Sequence, residues 1–193
     1  MTEIEIKARV ADPRAVRGRL DAGAVFRCAV VKNDSYWRKN GTQPDEANAP
    51  GRAVKLRLRE ENGNSTVTYK RKEVRGALEV NDEREFCVTD RDSFEILLTD
   101  LDFSPYITKR KHTEVWDWKA DDDTAVTIEL SLVDRLGWFL EAEILVPDAD
   151  TAQVDAAASA LRSALALCGL GEDDLEPRFY TEMLAEAEQS QLS

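Results

Sequence analysis

The sequence predicts an α+β protein built on an antiparallel sheet of about eight strands, with amphipathic helices laid against it. Three observations predict this class. Short segments alternate apolar and polar residues at the strand period, tight-turn signals separate most of them, and a few segments change to helical spacing. The 193 residues, 42% hydrophobic and 33% charged, suit one domain spanning residues 1–193.

Thr2 to Val10 alternates strictly, with Ile4, Ile6 and Ala8 opposite Glu3, Glu5 and Lys7. Asp12-Pro13 then supplies an N-cap followed by proline at the first helical position, and Val16 and Leu20 give that helix its apolar stripe up to Gly23. A second strand is expected over Asn33 to Lys39. Residues 40–52, with Gly41, Pro44, Pro50 and Gly51, read as a long loop. Val54 to Glu60 alternates again, setting Val54, Leu56 and Leu58 against Lys55, Arg57 and Arg59. Asn62-Gly63 is a hairpin signal, and the next strand sets Val67 and Tyr69 against Thr66, Thr68, Lys70 and Lys72.

A strand near Asn81 to Val88 carries Glu83 and Glu85 on one side. Asp90 to Leu101 has Phe94, Leu97, Leu98 and Leu101 at helical spacing. Strands follow near 105–119, 124–133 and 138–147. A helix then carries Val154, Ala158, Leu161, Leu165 and Cys168 on one face and stops at Gly169, and a last helix starts near Pro177. Closing eight strands into a barrel would remove the edges of such a sheet, although periodicity alone does not decide closure.

Composition excludes several classes. With 26 Lys plus Arg against 38 Asp plus Glu, the net charge of -12 gives no global positive field for nucleic acid or an anionic membrane. No apolar run reaches the ~18 residues of a membrane span, and acidic residues from Glu3 onward leave no basic-then-apolar leader, so a cytoplasmic protein is expected. Cys28, Cys87 and Cys168 form neither a disulfide framework nor a CxxC pair and are expected to be buried thiols. A single histidine, His112, excludes multi-histidine metal sites and receives no catalytic role. Trp37, Trp116, Trp118 and Trp138 are read as wall or core residues in preference to a base-stacking platform.

The polar strand faces carry the functional signal. The helices need the apolar sheet face, so the charged face meets either bulk water or a barrel lumen. Glu3/Glu5 and Glu141/Glu143 are like-charge pairs on one face, spaced roughly 6.7 Å along a strand, and they call for a cation. Lys55, Arg57, Arg59, Lys70 and Lys72 gather positive charge on adjacent strands. Segregated acidic and basic strips suit a metal-bound polyphosphate: carboxylates hold Mg²⁺ or Mn²⁺, and Lys and Arg neutralise phosphate oxygens.

Several motifs, in order, resemble the CYTH domains, or triphosphate tunnel metalloenzymes. They are Glu3-Ile-Glu-Ile-Lys7, Lys55-Leu-Arg-Leu-Arg59, Thr68-Tyr-Lys70, Glu83-Arg-Glu85, Lys109-Arg-Lys111, Leu136-Gly-Trp-Phe-Leu-Glu-Ala-Glu143 and Arg178-Phe-Tyr180. The resemblance implies an eight-stranded antiparallel β-barrel with helices packed outside and a lumen that binds a triphosphate with Mg²⁺ or Mn²⁺. Family activities include class IV adenylyl cyclases and thiamine, inorganic and RNA triphosphatases. The Leu136–Glu143 stretch looks most like the bacterial class IV cyclase branch. Two departures stand out: Ser131 occupies a position where cyclase relatives often have an acid, and the 40–52 loop is long enough to alter one mouth.

Under that resemblance Glu3, Glu5, Glu141 and Glu143 are the expected metal ligands, with Glu129 as a fifth. Lys7, Lys55, Arg57, Lys70, Lys109 and Lys111 are the expected triphosphate contacts. Arg59 and Lys72 share their parity but are placed beyond the mouth. Arg84 matches a family position, yet alternation sets it beside Phe86, so a bulge would have to turn it inward; Arg110 has the same difficulty. Arg178 either reaches the ligand from the final helix or stays at the surface. Lys7 is the candidate catalytic group, assisting deprotonation if burial among cations lowers its pKa. No nucleophilic triad is identifiable or needed. The expected partner is ATP or another organic or inorganic triphosphate, with no nucleic acid and no membrane, and a homodimer is compatible with the sequence. Two enzyme readings follow, cyclic AMP plus pyrophosphate from ATP or orthophosphate release by a triphosphatase. A non-catalytic polyphosphate- or nucleotide-binding module stands as a third.

Overall fold

The computed structural model describes residues 2–41, 55–75, 78–121, 123–146 and 151–191, with backbone only for residues 55, 70–75, 78–83 and 151. From residue 42 onward the expected loop lies outside the described residues. Eight antiparallel strands close into a barrel: β1 (Thr2–Arg9), β2 (Val25–Lys39), β3 (Lys55–Glu61), β4 (Asn64–Arg75), β5 (Leu78–Val88), β6 (Phe103–Lys119), β7 (Ala125–Val133) and β8 (Gly137–Val146). Their order around the ring is β1-β5-β4-β3-β2-β6-β7-β8. β1 completes the ring, pairing with β8 along Thr2–Arg9 and with β5 along Thr2–Glu5. Closure gives every strand two neighbours and leaves no open edge to template association.

Local chemistry explains the connections. In the β3–β4 hairpin Asn62 and Gly63 both take positive φ, 51° and 77°, as a two-residue turn matched to strand twist requires. Helix α1 (Pro13–Gly23) begins where the Asp12 carboxylate accepts the Arg14 and Ala15 amides, and α2 (Arg91–Asp100) where Asp90 accepts the Ser93 amide. Helix α3 (Thr151–Leu167) ends at Gly169, whose φ is +75°. That backbone conformation favours glycine, and a Cβ there would also have to push aside the Arg19 guanidinium, 2.6 Å away. Helix α4 (Tyr180–Gln191) starts three residues later than Pro177, after the turn that carries Arg178.

The main core lies outside the barrel. Ile4 and Ile6 of β1, Ile128 and Leu130 of β7, and Leu140 and Ile144 of β8 pack beneath Val16 and Leu20 of α1 and Leu161 and Leu165 of α3. Burial of these side chains at roughly 25 cal/mol per Å² is what holds the helices on the wall. Leu98 of α2 packs similarly on Trp37, Leu58 and Val67. All four tryptophans belong to these layers: Trp37 and Trp116 are buried, and Trp118 and Trp138 pack against the main core. With the apolar faces turned outward to the helices, the charged faces of the strands are left to line the lumen. Among the described residues no helix is long and apolar enough to cross a membrane.

The expectation for the thiols holds for one of three. Cys168 is buried in the α3 core, where burial pushes its thiol up to about 12, whereas Cys28 and Cys87 are exposed on β2 and β5; all three are free.

Candidate active site

The barrel encloses a cavity of about 390 Å³ whose described lining is ionisable except for Leu145. Glu3 and Glu5 of β1, Glu85 of β5, Glu129 of β7, and Glu141 and Glu143 of β8 face it. So do Lys32 of β2, Arg57 and Arg59 of β3, and Lys109 and Lys111 of β6. Mapped on the ring order, the acids occupy one continuous arc, β7-β8-β1-β5, and the bases the arc β3-β2-β6. One wall is anionic and the facing wall cationic.

Ion pairs tie the walls together. Lys111 Nζ donates to Glu129 Oε2 at 2.8 Å and to Glu141 Oε2 at 2.5 Å, and Lys32 Nζ donates to Glu129 Oε1 at 2.5 Å. Burial pushes both carboxyls up, but the lysines win: Glu129 stays well below the ordinary carboxylate range, and Glu141 is held down at about 2. Glu143 is compensated only in part, by the charge of Lys32. Burial, then the charges of Glu3, Glu129 and Glu141, push it up to about 7. Deeper in, the fully buried Asp34 of β2 accepts both Arg59 Nε and Arg59 Nη2, at 2.7 and 3.0 Å, and pairs with Lys109 Nζ at 3.1 Å. Burial lowers Lys109 to about 8, with Lys111 and Arg59 adding to the effect and Asp34 opposing it.

One end of the lumen is closed. The chain after α3 lies along β1, where the Glu176 amide donates to the Lys7 carbonyl and Leu175 bridges Ala8. Arg9 and Arg178 both hold the Glu176 carboxylate, at 2.8 and 2.7 Å. Val133 and Phe139, which point inward, then pack on Tyr180 and Met183 of α4. Phe139 and Tyr180 meet edge to face with ring centroids 5.1 Å apart. The Tyr180 ring lies against two ammonium groups, Lys7 at 4.8 Å and Lys109 at 4.6 Å from its centroid.

Lys7, read as a cavity residue, is buried at this closed end, where its ammonium donates to the Arg178 carbonyl at 2.7 Å. Glu3, Glu5, Glu129, Glu141, Glu143, Arg57, Lys109 and Lys111 all come together around the cavity. Arg59 does as well, in contrast to its expected place beyond the mouth. Lys55 and Lys70 are register partners on β3 and β4, and their side chains lie outside the described residues, as does that of Lys72. Arg84 is exposed on the outer wall. The β4–β5 register runs from Ser65↔Val88 to Arg75↔Leu78 without the bulge that would have turned it inward. Arg110 is exposed for the same reason of parity. The Arg178 guanidinium, 47% exposed, is held by Glu176 and Glu186 instead of reaching the cavity. It precedes α4, and only its carbonyl faces inward.

Lys32, Asp34 and Glu85 are the cavity-side residues that sequence reasoning did not assign to the site, although Glu85 was placed on one face of its strand. β2 begins at Val25 and not at Asn33, and its first half shows no clean alternation, since Val25 and Phe26 are exposed at 69% and 52%. A signal was present in the parity of Lys32, Asp34 and Tyr36, had the strand been extended backward.

Two observations test the site against its implied ligands. Among the described residues Arg57 Nε is buried and lacks a hydrogen-bond partner, a donor left over on the basic wall that suits an anion. On the other wall the donors are all carboxylate oxygens, and the rise of Glu143 marks negative charge that the lysines leave uncompensated. Hard divalent cations such as Mg²⁺ and Mn²⁺ fit that donor set. Among the described residues no three such groups already converge as a metal site, and Lys32 and Lys111 hold Glu129 and Glu141.

Comparison with known proteins gives the same picture. The family model described as CYTH domain matches residues 1–180. A Methanocaldococcus jannaschii protein named "Putative adenylate cyclase MJ0240" is 27% identical over 189 residues, covering 95% of this chain and 98% of that protein. The structure of PH1012 from Pyrococcus horikoshii is 26% identical with a TM-score of 0.75, covering 94% of this chain and 99% of that one. The Hippeastrum protein HpAC1, whose structure was described as revealing a dominant triphosphatase activity, shares the fold at 16% identity and a TM-score of 0.64, with 97% and 96% covered.

Proposed function

The chain belongs to the CYTH domain family, and from that premise we propose that it is a divalent-metal-dependent enzyme acting on a triphosphate in the barrel lumen, converting ATP to cyclic AMP and pyrophosphate. The observation that carries the reading is the division of one closed lumen into an acidic arc and a basic arc. The 27% identity to the archaeal protein named as a cyclase, over nearly the full length of both, supports the choice of reaction.

In this reading Glu3, Glu5 and Glu143 would hold Mg²⁺ or Mn²⁺, joined by Glu141 and Glu129 as their lysines turn to the phosphates. A metal bound there would supply charge neutralisation for the phosphate oxygens and the reacting hydroxyl. Arg57 donates its unpartnered Nε to the polyphosphate, with Arg59, Lys32 and Lys111 beside it. Asp34 keeps Arg59 and Lys109 in place by accepting from both. The ribose 3′-oxygen bonds to the α-phosphorus as the bond to pyrophosphate breaks, and the hydroxyl proton must be accepted. Lys109, lowered to about 8, lines the cavity and in its neutral form is placed to accept it, whereas Lys7 lies at the closed end with its ammonium on the Arg178 carbonyl. Positioning and charge neutralisation do the rest.

One observation favours a triphosphatase instead. The described lining offers a purine no aromatic surface and only Leu145 as an apolar one. Water would then attack the terminal phosphorus and release orthophosphate. Product analysis separates the two. Purified protein is incubated with ATP, and separately with inorganic triphosphate, in Mg²⁺ and in Mn²⁺. Cyclic AMP with pyrophosphate establishes the cyclase, and orthophosphate without a cyclic product establishes the triphosphatase. Binding without turnover of either removes the enzyme and leaves a polyphosphate-binding module.

A further inference from the structure

Tyr180 sits where the closed end meets the ligand-binding walls, and its polar end makes no well-formed hydrogen bond. Its hydroxyl is buried and has no hydrogen-bond partner in the described structure. The charge acting on it most strongly is the Glu141 carboxylate, with Glu5 and Glu129 next. Glu141 stands within reach of the phenol, yet no well-formed hydrogen bond joins them while Lys111 holds Glu141 Oε2 at 2.5 Å. A phenylalanine would keep the edge-to-face contact with Phe139 and the ring face against both lysines, without stranding a hydroxyl. A buried donor left unmade is costly, so its presence points to a second arrangement in which it is used.

Resting on the triphosphate reading above, we propose that Tyr180 is a positioning residue: its ring face holds the Lys7 and Lys109 ammonium groups at the closed end, and its hydroxyl donates to Glu141 once a triphosphate draws Lys111 away. The exchange has a physical logic. When Lys111 turns to a phosphate oxygen, Glu141 loses its counter-charge inside a buried site, where an uncompensated carboxylate is expensive. A hydrogen bond from Tyr180 replaces that partner and fixes the carboxylate's orientation, as outer hydrogen-bond donors do for metal-binding carboxylates. The basic wall can thus be surrendered to the ligand without abandoning the acidic one.

The test uses the full chain, inorganic triphosphate as the probe, and Tyr180→Phe. Ligand-free Tyr180→Phe should melt at or above the wild-type temperature, since only an unpaired hydroxyl is removed. Its affinity for triphosphate, measured calorimetrically with and without Mg²⁺, should fall about tenfold, the loss of one hydrogen bond to a charged acceptor. Wild-type protein should also show a near-ultraviolet tyrosine difference signal on triphosphate addition that Tyr180→Phe lacks; the other three tyrosines of the four remain in both proteins. Unchanged affinity in Tyr180→Phe, a lower ligand-free melting temperature, or a wild-type difference signal that the variant retains would each overturn the proposal. Wild-type protein that fails to bind triphosphate would instead overturn the functional reading on which it rests.

Discussion

Glu5 and Glu143 are direct register partners across β1 and β8, two carboxylates at one level of the lumen wall. Burial is the larger cause of the rise in Glu143 to about 7, with Glu3 foremost among the neighbouring charges. A carboxyl raised above its unfolded value contributes stability that is complete below the unfolded pKa and is lost as pH rises through the folded one. Metal-free protein should therefore lose melting temperature between about pH 5 and 8, at about 2–4 °C per kcal/mol. Glu143→Gln should flatten that slope, and Mg²⁺ binding to wild type should tighten with pH and release a proton. Thermal melts across this range decide it: equal slopes in both proteins would refute the assignment.

Asp34 is the buried counter-charge for both Arg59 and Lys109, with none of its side chain exposed. Asp34→Asn leaves two cations facing one another in a closed space. Removing one member of a buried pair typically costs about 3–5 kcal/mol, and chemical denaturation should show a loss of that order. A loss under ~1 kcal/mol would mean that water already reaches the pair.

Lys109 gives opposite pH signatures in binding and stability. Its folded pKa is lowered to about 8 by burial, so between pH 8 and its unfolded value the unfolded chain binds more protons, and this group's contribution to stability grows as pH rises. Triphosphate affinity should move the other way, weakening above about pH 8 as the ammonium is lost. Lys109→Arg keeps its charge and should hold affinity level to higher pH. Parallel wild-type and Lys109→Arg binding curves would exclude Lys109 as the titrating group.

Two arginines on the strands that flank β4 should differ sharply. Arg57 lines the cavity with its Nε unpartnered, whereas Arg84 is exposed outside. Arg57→Ala should weaken triphosphate binding about tenfold or more, the worth of a charge-assisted hydrogen bond. Arg84→Ala should leave binding within about twofold and stability within ~0.5 kcal/mol. Equal losses in calorimetric titrations would put the ligand outside the lumen.

The residues along the chain carried much of this structure by themselves. Period-two alternation placed the eight strands except for the first half of β2, Asp12-Pro13 and Asp90 started their helices, Asn62-Gly63 made its turn, and Gly169 ended α3. Each of these depends on interactions within a few residues. Glu3, Glu5, Glu141 and Glu143 were legible for the same reason, because alternation fixes which side chains share a face, whereas Glu129 and Lys111 came from the family resemblance. What alternation could not decide was which way the charged face looked, since a solvated face and a lumen have the same period. Pairing β1 with both β8 and β5 decided it, and turned a mild repulsion between surface glutamates into a buried charge that lifts Glu143. Asp34 beneath Lys109, and Tyr180 between Lys7 and Lys109, likewise join segments far apart in the chain. Burial and distance set the energies of those groups, and both come into existence only when the barrel closes.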